Sequence, residues 1–406
     1  VVSAPAHENS IEPANGPSLH VVLIAPPWLP VPPPAYGGTE AVVHGIAVGL
    51  QRLGAQVTLV AHPDSTCPVP RASAGPPTDA CLGDRHSEVR FAEAAYRIVD
   101  ELDADVVHDH TLVGPIIAQQ RGVTERCQVV TTSHGPFDEE SERHFRAVSP
   151  TVPVIAISYD QASTARTVRP ATVIHHGLET SAYPMGSGAG GYALCLARMS
   201  PTKGIDAAIE VARRAGVPLR IAAKLREPAE QEYFDEVVRP LLGGDVEYVG
   251  EVCHDEKVQL LRDAVALVNP IRWPEPFGLA MVEALACGTP VLATRRGAAP
   301  EIVEDGLVGR ICGDEEEMAR ALLEVTSIDR RACRRHVEQH FSTERMARDH
   351  LAFFRRKLLE RVPVLVDPSP TELLERPTLS VERDGPATVS GSGTFDLTAS
   401  REALEP

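Results

Sequence analysis

Short apolar runs alternate with helix-spaced apolar stripes along most of this chain, and the series is played through twice. The first series opens on Leu19-His-Val-Val-Leu-Ile-Ala25 and continues with extended runs at 55–61, 105–110, 128–133, 153–158 and 171–175. Helical stretches at 40–53 and 87–102 lie between them, with Thr39 placed to cap the first. Parallel strands need a long crossover, usually a helix, so this alternation predicts βαβ units and a parallel sheet. Residues 178–191 then break the pattern with Ser-Ala-Tyr-Pro-Met-Gly-Ser-Gly-Ala-Gly-Gly, a linker by composition. Beyond it the series restarts, with strands at 192–198, 218–223, 246–249, 265–269 and 290–294 and helices at 204–215, 228–242, 255–263, 279–287 and 315–325. The expected fold class is α/β, with two Rossmann-like parallel-sheet domains facing a central cleft.

This divides the chain into a polar, Pro-rich lead at 1–17, a first domain at 18–177, the linker at 178–191 and a second domain at 192–342. Residues 328–361 read as long, helical and basic, with ten Arg or Lys against four acids over 330–361. The stretch 343–361 is expected to cross back to the first domain as an amphipathic docking helix. The tail at 362–406 carries eight acids against three arginines and is expected to be disordered. A hydrophobic fraction of 43% over 406 residues is enough for two cores.

The formal charge of −17 argues against a nucleic-acid partner, which needs a basic face, and against loose adsorption to anionic lipid, while the basic helices at 330–361 leave peripheral membrane contact as the lesser reading beside a docking helix. Eight cysteines, at 67, 81, 127, 195, 253, 287, 312 and 333, form no Cys-x-x-Cys pair, so neither zinc spacing nor a redox motif is present. Reduced thiols, no visible signal peptide and no long apolar run make a cytoplasmic protein the expectation.

The segment with most chemistry is Glu275-Pro-Phe-Gly-Leu-Ala-Met-Val-Glu283. It lies between the strand at 265–269 and the helix at 279–287. Free N–H groups after Phe277-Gly278, through Leu279, can take a diphosphate at the positive end of the helix dipole. Gly278 lets the backbone approach closely. Glu283, on the first turns, can accept two hydrogen bonds from a ribose diol; the plain alternative is a solvated helix residue. Arg198 and Lys203 follow the first strand of the second series and can meet a departing diphosphate, Arg198 as a fork and Lys203 as a point charge, in place of a metal. His134 ends a strand of the first series, at the edge where parallel sheets bind ligands.

The stretch Glu-Pro-Phe-Gly-x-x-x-x-Glu-Ala-x-Ala-Cys-Gly-x-Pro-Val resembles the E-x7-E signature of the retaining glycosyltransferases of family 4, which have the GT-B fold. Leu194-Cys-Leu-Ala-Arg198-Met-Ser-Pro-Thr-Lys203-Gly204 is similar to that family's diphosphate clamp, Gly37-Gly38 to its N-terminal glycine loop, and Ser133-His134-Gly135 to its strand-end histidine. Pro300-Glu301-Ile-Val and Asp305-Gly306 fit the usual downstream run. The resemblance covers 19–361. It implies a metal-independent hexosyltransferase without a cofactor, using a nucleoside-diphosphate sugar, a UDP-sugar first, and an acceptor that is a small molecule, glycan or lipid. It implies His134 and Glu275 as catalytic, with Gly37, Gly38, Arg198, Lys203, Phe277, Gly278 and Leu279 on the donor diphosphate and Glu283 on the ribose.

Three other motifs are set aside. Gly186-Ser-Gly188-Ala-Gly-Gly191 satisfies G-x-G-x-x-G, but its strand comes after it, the wrong order for a dinucleotide site. Asp103-Ala-Asp105 introduces a strand and reads as a solvated turn. His108-Asp109-His110 invites a metal reading, but neighbours on a strand point to opposite faces, and it is left unassigned. A nucleotide-sugar epimerase or phosphorylase of the same architecture and a non-catalytic nucleotide-sugar-binding protein remain as rivals.

Overall fold

The computed structural model describes residues 18–35, 37–75 and 84–361. The expected disordered stretches at 1–17 and 362–406, and Cys81, lie outside the described residues. Two sheets carry the fold. The first contains β1 (His20–Ile24), β2 (Gln56–Ala61), β3 (Arg71–Ser73), β4 (Val106–Asp109), β5 (Gln128–Thr132), β6 (Val154–Ala156) and β7 (Thr172–Val173), in the order β3-β2-β1-β4-β5-β6-β7. The second contains β8 (Ala193–Arg198), β9 (Leu219–Lys224), β10 (Val246–Gly250), β11 (Ala266–Asn269), β12 (Val291–Thr294) and β13 (Gly309–Cys312), in the order β10-β9-β8-β11-β12-β13. Every strand pair is parallel. The central strands are apolar on both faces because helices cover both: Val21, Val22, Leu23 and Ile24 are all fully buried.

The helix expected at 40–53 runs Gly38–Arg52, and Thr39 lies inside it. Gly37 occupies the cap position without a side-chain hydrogen bond. The reason is space: a Cβ at Gly37 would stand 2.6 Å from Pro33 Cβ, so the Pro-rich loop leaves no room for a capping side chain. The helix expected at 228–242 is α-helical only over Pro228–Tyr233, then widens to a π turn and tightens to a 3₁₀ turn that ends at Leu241.

The basic stretch is two helices, Arg330–His340 and Thr343–Arg361. They part because the backbone between them is used elsewhere. Leu178 N–H donates to Phe341 O at 2.9 Å, and Thr343 N–H to Leu178 O at 2.9 Å. The second of the two buries Met346, Leu351, Phe353 and Phe354 in one core with Val21, Leu23 and Val57. Gly45 and Gly49 on Gly38–Arg52 let it lie close: a Cβ at Gly49 would be 2.6 Å from Ala347 Cβ.

The glycines of 178–191 serve packing too. Arg330 donates to Gly186 O at 2.9 Å, Arg262 O at 3.0 Å, Ala264 O at 3.0 Å and Thr289 Oγ1 at 2.7 Å. A Cβ at Gly186 would collide with the Arg262 backbone. The segment is strapped to the second sheet's lobe along much of its length.

Candidate active site

Each sheet grows outward in both directions from one pair of strands, β1 and β4 in the first and β8 and β11 in the second. Crossovers diverge there and leave a crevice beyond the C-terminal strand ends. Gly37 and Gly38 follow β1, His110 follows β4, Arg198 and Lys203 lie at and after the end of β8, and Glu275 to Leu279 follow β11. His134 follows β5, one strand further. The two halves approach closely: a Cβ on Gly38 would lie 3.4 Å from Leu279 Cδ1.

On the second sheet, Gly278 turns the chain into the helix Leu279–Ala286 at φ 98°, a backbone that side chains disfavour. No side chain caps that helix. The Phe277 ring is buried, 5.0 Å from His176 and 6.0 Å from Phe341 between ring centres, so only its backbone is left to face a ligand. Glu275 accepts from Lys203 Nζ and from Trp273 Nε1, the latter at 2.7 Å. Arg198 makes a loose contact, 3.8 Å from Glu230. Glu283 accepts from Lys257 Nζ at 2.5 Å and Tyr183 Oη at 2.8 Å. Burial, then the Glu283 charge, pushes the Tyr183 hydroxyl well above its ordinary range, so Tyr183 donates as a neutral phenol. At the end of β10, Gly250 has φ 90° and Glu251 is held by Arg226 Nε and Nη2, at 2.8 and 2.7 Å.

His134 heads a row of histidines. Its Nε2 lies 2.8 Å from His110 Nδ1, and its ring stacks on His176 with centres 5.3 Å apart. His110 lies 4.0 Å from His108, which in turn faces His350 at 5.2 Å. Burial first, and the charge on His350 next, pulls His134 down to about 3, so its imidazole is neutral. Its Nδ1 is buried without a hydrogen-bond partner among the described residues. Asp109 points the other way, to Tyr96 Oη at 2.7 Å and Thr111 N at 2.8 Å. Among the described residues no cluster of three or more His, Cys, Asp or Glu could hold a metal ion, His108-Asp109-His110 included. Asp105 takes the His20 N–H at 2.8 Å, at the opposite end of the sheet from the crevice.

Three groups of the crevice escaped the sequence. Trp273 carries a readable signal, two residues before Glu275 in a Pro-flanked run. Lys257 and Tyr183 carry none, because they reach Glu283 from 26 and 100 residues away. Glu40, just inside Gly38–Arg52, was also missed: burial raises its carboxyl to about 7.

The lobes are also tied directly. Glu301, from the second, accepts from Tyr159 N at 2.9 Å, Asp160 N at 2.7 Å and His175 Nε2 at 2.7 Å. Burial opposes ionisation of Glu301, but these bonds outweigh it and hold its carboxyl below the ordinary range. No described helix is long and apolar enough to cross a membrane.

Known proteins share this fold. Residues 36–182 match the model described as Glycosyltransferase Family 4, and residues 189–340 the model described as Glycosyl transferases group 1. A probable sucrose-phosphate synthase of Thermosipho melanesiensis is 36% identical over 81 residues, 19% of this chain and 19% of its own length. Two further curated relatives are matched over 32% and 25% of their lengths, so the chain spans about a fifth to a third of these proteins. A solved glycosyltransferase of avilamycin A biosynthesis superimposes with a TM-score of 0.65 at 26% identity, covering 84% of this chain and 98% of that one. The Anabaena protein HepE, solved with UDP and glucose, does so at 0.66 and 19%, covering 83% and 100%, and shows the fold alone. Two family models in tandem over one two-sheet architecture give the conclusion: the chain belongs to the family 4, group 1 glycosyltransferases and has their GT-B fold.

Proposed function

We propose that the chain moves a hexose from a nucleoside-diphosphate sugar to an acceptor, without a metal and with retention of anomeric configuration. The observation that supports this reading is the Lys203–Glu275 ion pair just ahead of the uncapped start of the helix Leu279–Ala286, with Arg198 at the end of the neighbouring strand β8 and Glu283 on the helix itself. Departure of a nucleoside diphosphate puts negative charge on phosphate oxygens. Two cations and a helix N-terminus are what that charge requires, and preorganised groups of this kind contribute a factor of about 10² to 10³ each. Before the donor arrives, Glu275 neutralises Lys203; a diphosphate carries more charge and takes Lys203 over, leaving Glu275 for sugar hydroxyls. Glu283 then shares its carboxylate with a ribose diol. A neutral His134 faces the sugar from the first lobe and can stabilise a cationic ring without repelling it. The departing phosphate takes the acceptor's proton, so no separate base is assigned. The UDP and glucose bound by Anabaena HepE favour a uridine nucleotide.

The test is a thermal-shift panel of UDP, GDP and ADP sugars. A donor at 100 times its dissociation constant stabilises by about 2.7 kcal/mol. Glu275→Gln is expected to keep nucleotide binding and lose turnover of the binding donor by about 10² or more. A flat panel, or unaltered turnover in that variant, overturns the reading.

A further inference from the structure

Trp273, Pro274, Glu275 and Pro276 form the exit from β11. Proline drives the residue before it into extended backbone. Trp273 and Glu275 each precede a proline, and side chains two apart on extended backbone share a face. The contact follows: Trp273 Nε1–H donates to Glu275 Oε2 at 2.7 Å. Lys203 Nζ binds the same oxygen and lies 5.4 Å from the centre of the Trp273 ring. The Glu275 backbone is clamped as well. Ala298 N–H donates to Glu275 O at 2.9 Å, and Gly297, at φ 55°, packs so closely that a Cβ there would collide with Glu275 N and O. Glu275 Oε1 takes no hydrogen bond from a described residue.

Indole has one donor and no acceptor, so its N–H suits a carboxylate, while its face attracts a cation. Trp273 offers one to Glu275 and the other to Lys203, the groups read above as the ligands of the sugar and of the diphosphate. We infer that Trp273 is a positioning residue that fixes the Glu275 carboxylate, with Oε1 presented to the donor sugar, after the diphosphate has drawn Lys203 away. The inference rests on the donor reading of the crevice. Lys203 cannot serve both groups at once, and the indole N–H is the fixed donor that stays.

Trp273→Phe keeps the ring face and removes the N–H. It is expected to bind UDP, GDP or ADP, whichever the wild type binds, within about two-fold of the wild type. Hydrolysis of the corresponding nucleoside-diphosphate glucose is expected to lose kcat on the order of 10²-fold, with little change in KM. A fold defect would move nucleotide binding as well. A second measurement needs no ligand. The chain has two tryptophans, so an ¹⁵N–¹H spectrum carries two indole peaks, and Trp28→Phe assigns them. Glu275→Gln exchanges a charged acceptor for a neutral one and is expected to move the Trp273 peak while Trp28 stays in place. Unchanged kcat in Trp273→Phe, or an unmoved Trp273 peak in Glu275→Gln, overturns the inference and leaves the donor reading standing. A wild type that binds none of the three diphosphates overturns both.

Discussion

Glu283 illustrates how much of one residue's role lies in the partners it already has. Its carboxylate holds Lys257 and Tyr183 before any ligand enters. A hydrogen bond to a charged group contributes about 1.5–3 kcal/mol, so replacing the carboxylate with an amide is a measurable loss. Glu283→Gln is expected to weaken UDP by about ten- to a hundred-fold on that scale, to the level at which wild type binds 2′-deoxy-UDP. Equal losses for both nucleotides in the variant would place Glu283 off the ribose. The carboxylates and cations on this side could be put forward from the sequence because Arg198 ends a strand, Lys203 and Glu275 follow one by a few residues and Glu283 lies on the next helix, and strand ends define the crevice. His110, Lys257 and Tyr183 were not, because nothing local marks a residue whose partner arrives through the fold. Trp273 falls between the two: its partner is two residues away, but only the backbone set by Pro274 and Pro276 makes them neighbours.

At the scale of elements, length decided what could be read. Central strands and the longer helices stand out by period, whereas β3 and β13 hold three and four residues and give no periodicity to count. The helices Gly114–Gln120, Glu139–Val148, Tyr159–Thr164 and Ala299–Ile302 went unseen, the first and the last two for their brevity. At Phe341-Ser342, beside the boundary drawn at 342, it was the cause that could not be read: the break is set by the backbone of Leu178, far away in sequence. Past the break, Thr343–Arg361 depends on the small residues opposite it. Gly49→Leu forces a side chain into Ala347 and Thr343, and overpacking of this kind costs about 1–3 kcal/mol. The melting temperature is expected to fall, and amide exchange to speed up in Thr343–Arg361 while the helix Ile205–Ala215 keeps its protection. Uniform acceleration in both helices would mean that the packing of this pair has no local role.

The molecule as a whole carries an acid-sensitive seam where that helix meets the first sheet. His108 and His110 come from the end of β4, His134 from beyond β5, His176 from beyond β7 and His350 from Thr343–Arg361. Burial is the first cause lowering all five, with neighbouring histidines next for four of them and the His350–Met346 backbone bond opposing it in the fifth. His134 falls to about 3 and His350 to about 4, while Arg345 opposes and Asp349 favours charge on His350. Below about pH 6.5 the unfolded chain protonates these rings and the folded chain does not. Their contribution is therefore complete above that pH and is lost as pH falls towards 4 and then 3. Three buried acids work against this: Glu40, raised to about 7, Asp109, raised to about 6, and Glu88, raised by burial, favour lower pH. Five sites outnumber three, so melting temperature is expected to drop from pH 7 to pH 5. His350→Asn offers an amide donor to Met346 O, where the ring Nδ1 stands at 2.8 Å, and deletes one titrating ring, so the drop becomes shallower. An equally steep drop in that variant would show that the acid sensitivity lies outside this seam. Because the seam joins Thr343–Arg361 to the strand ends that carry His134, protonation is expected to loosen the helix before either sheet unfolds. Exchange of its amides at pH 5 is then faster than exchange in β1 or β8.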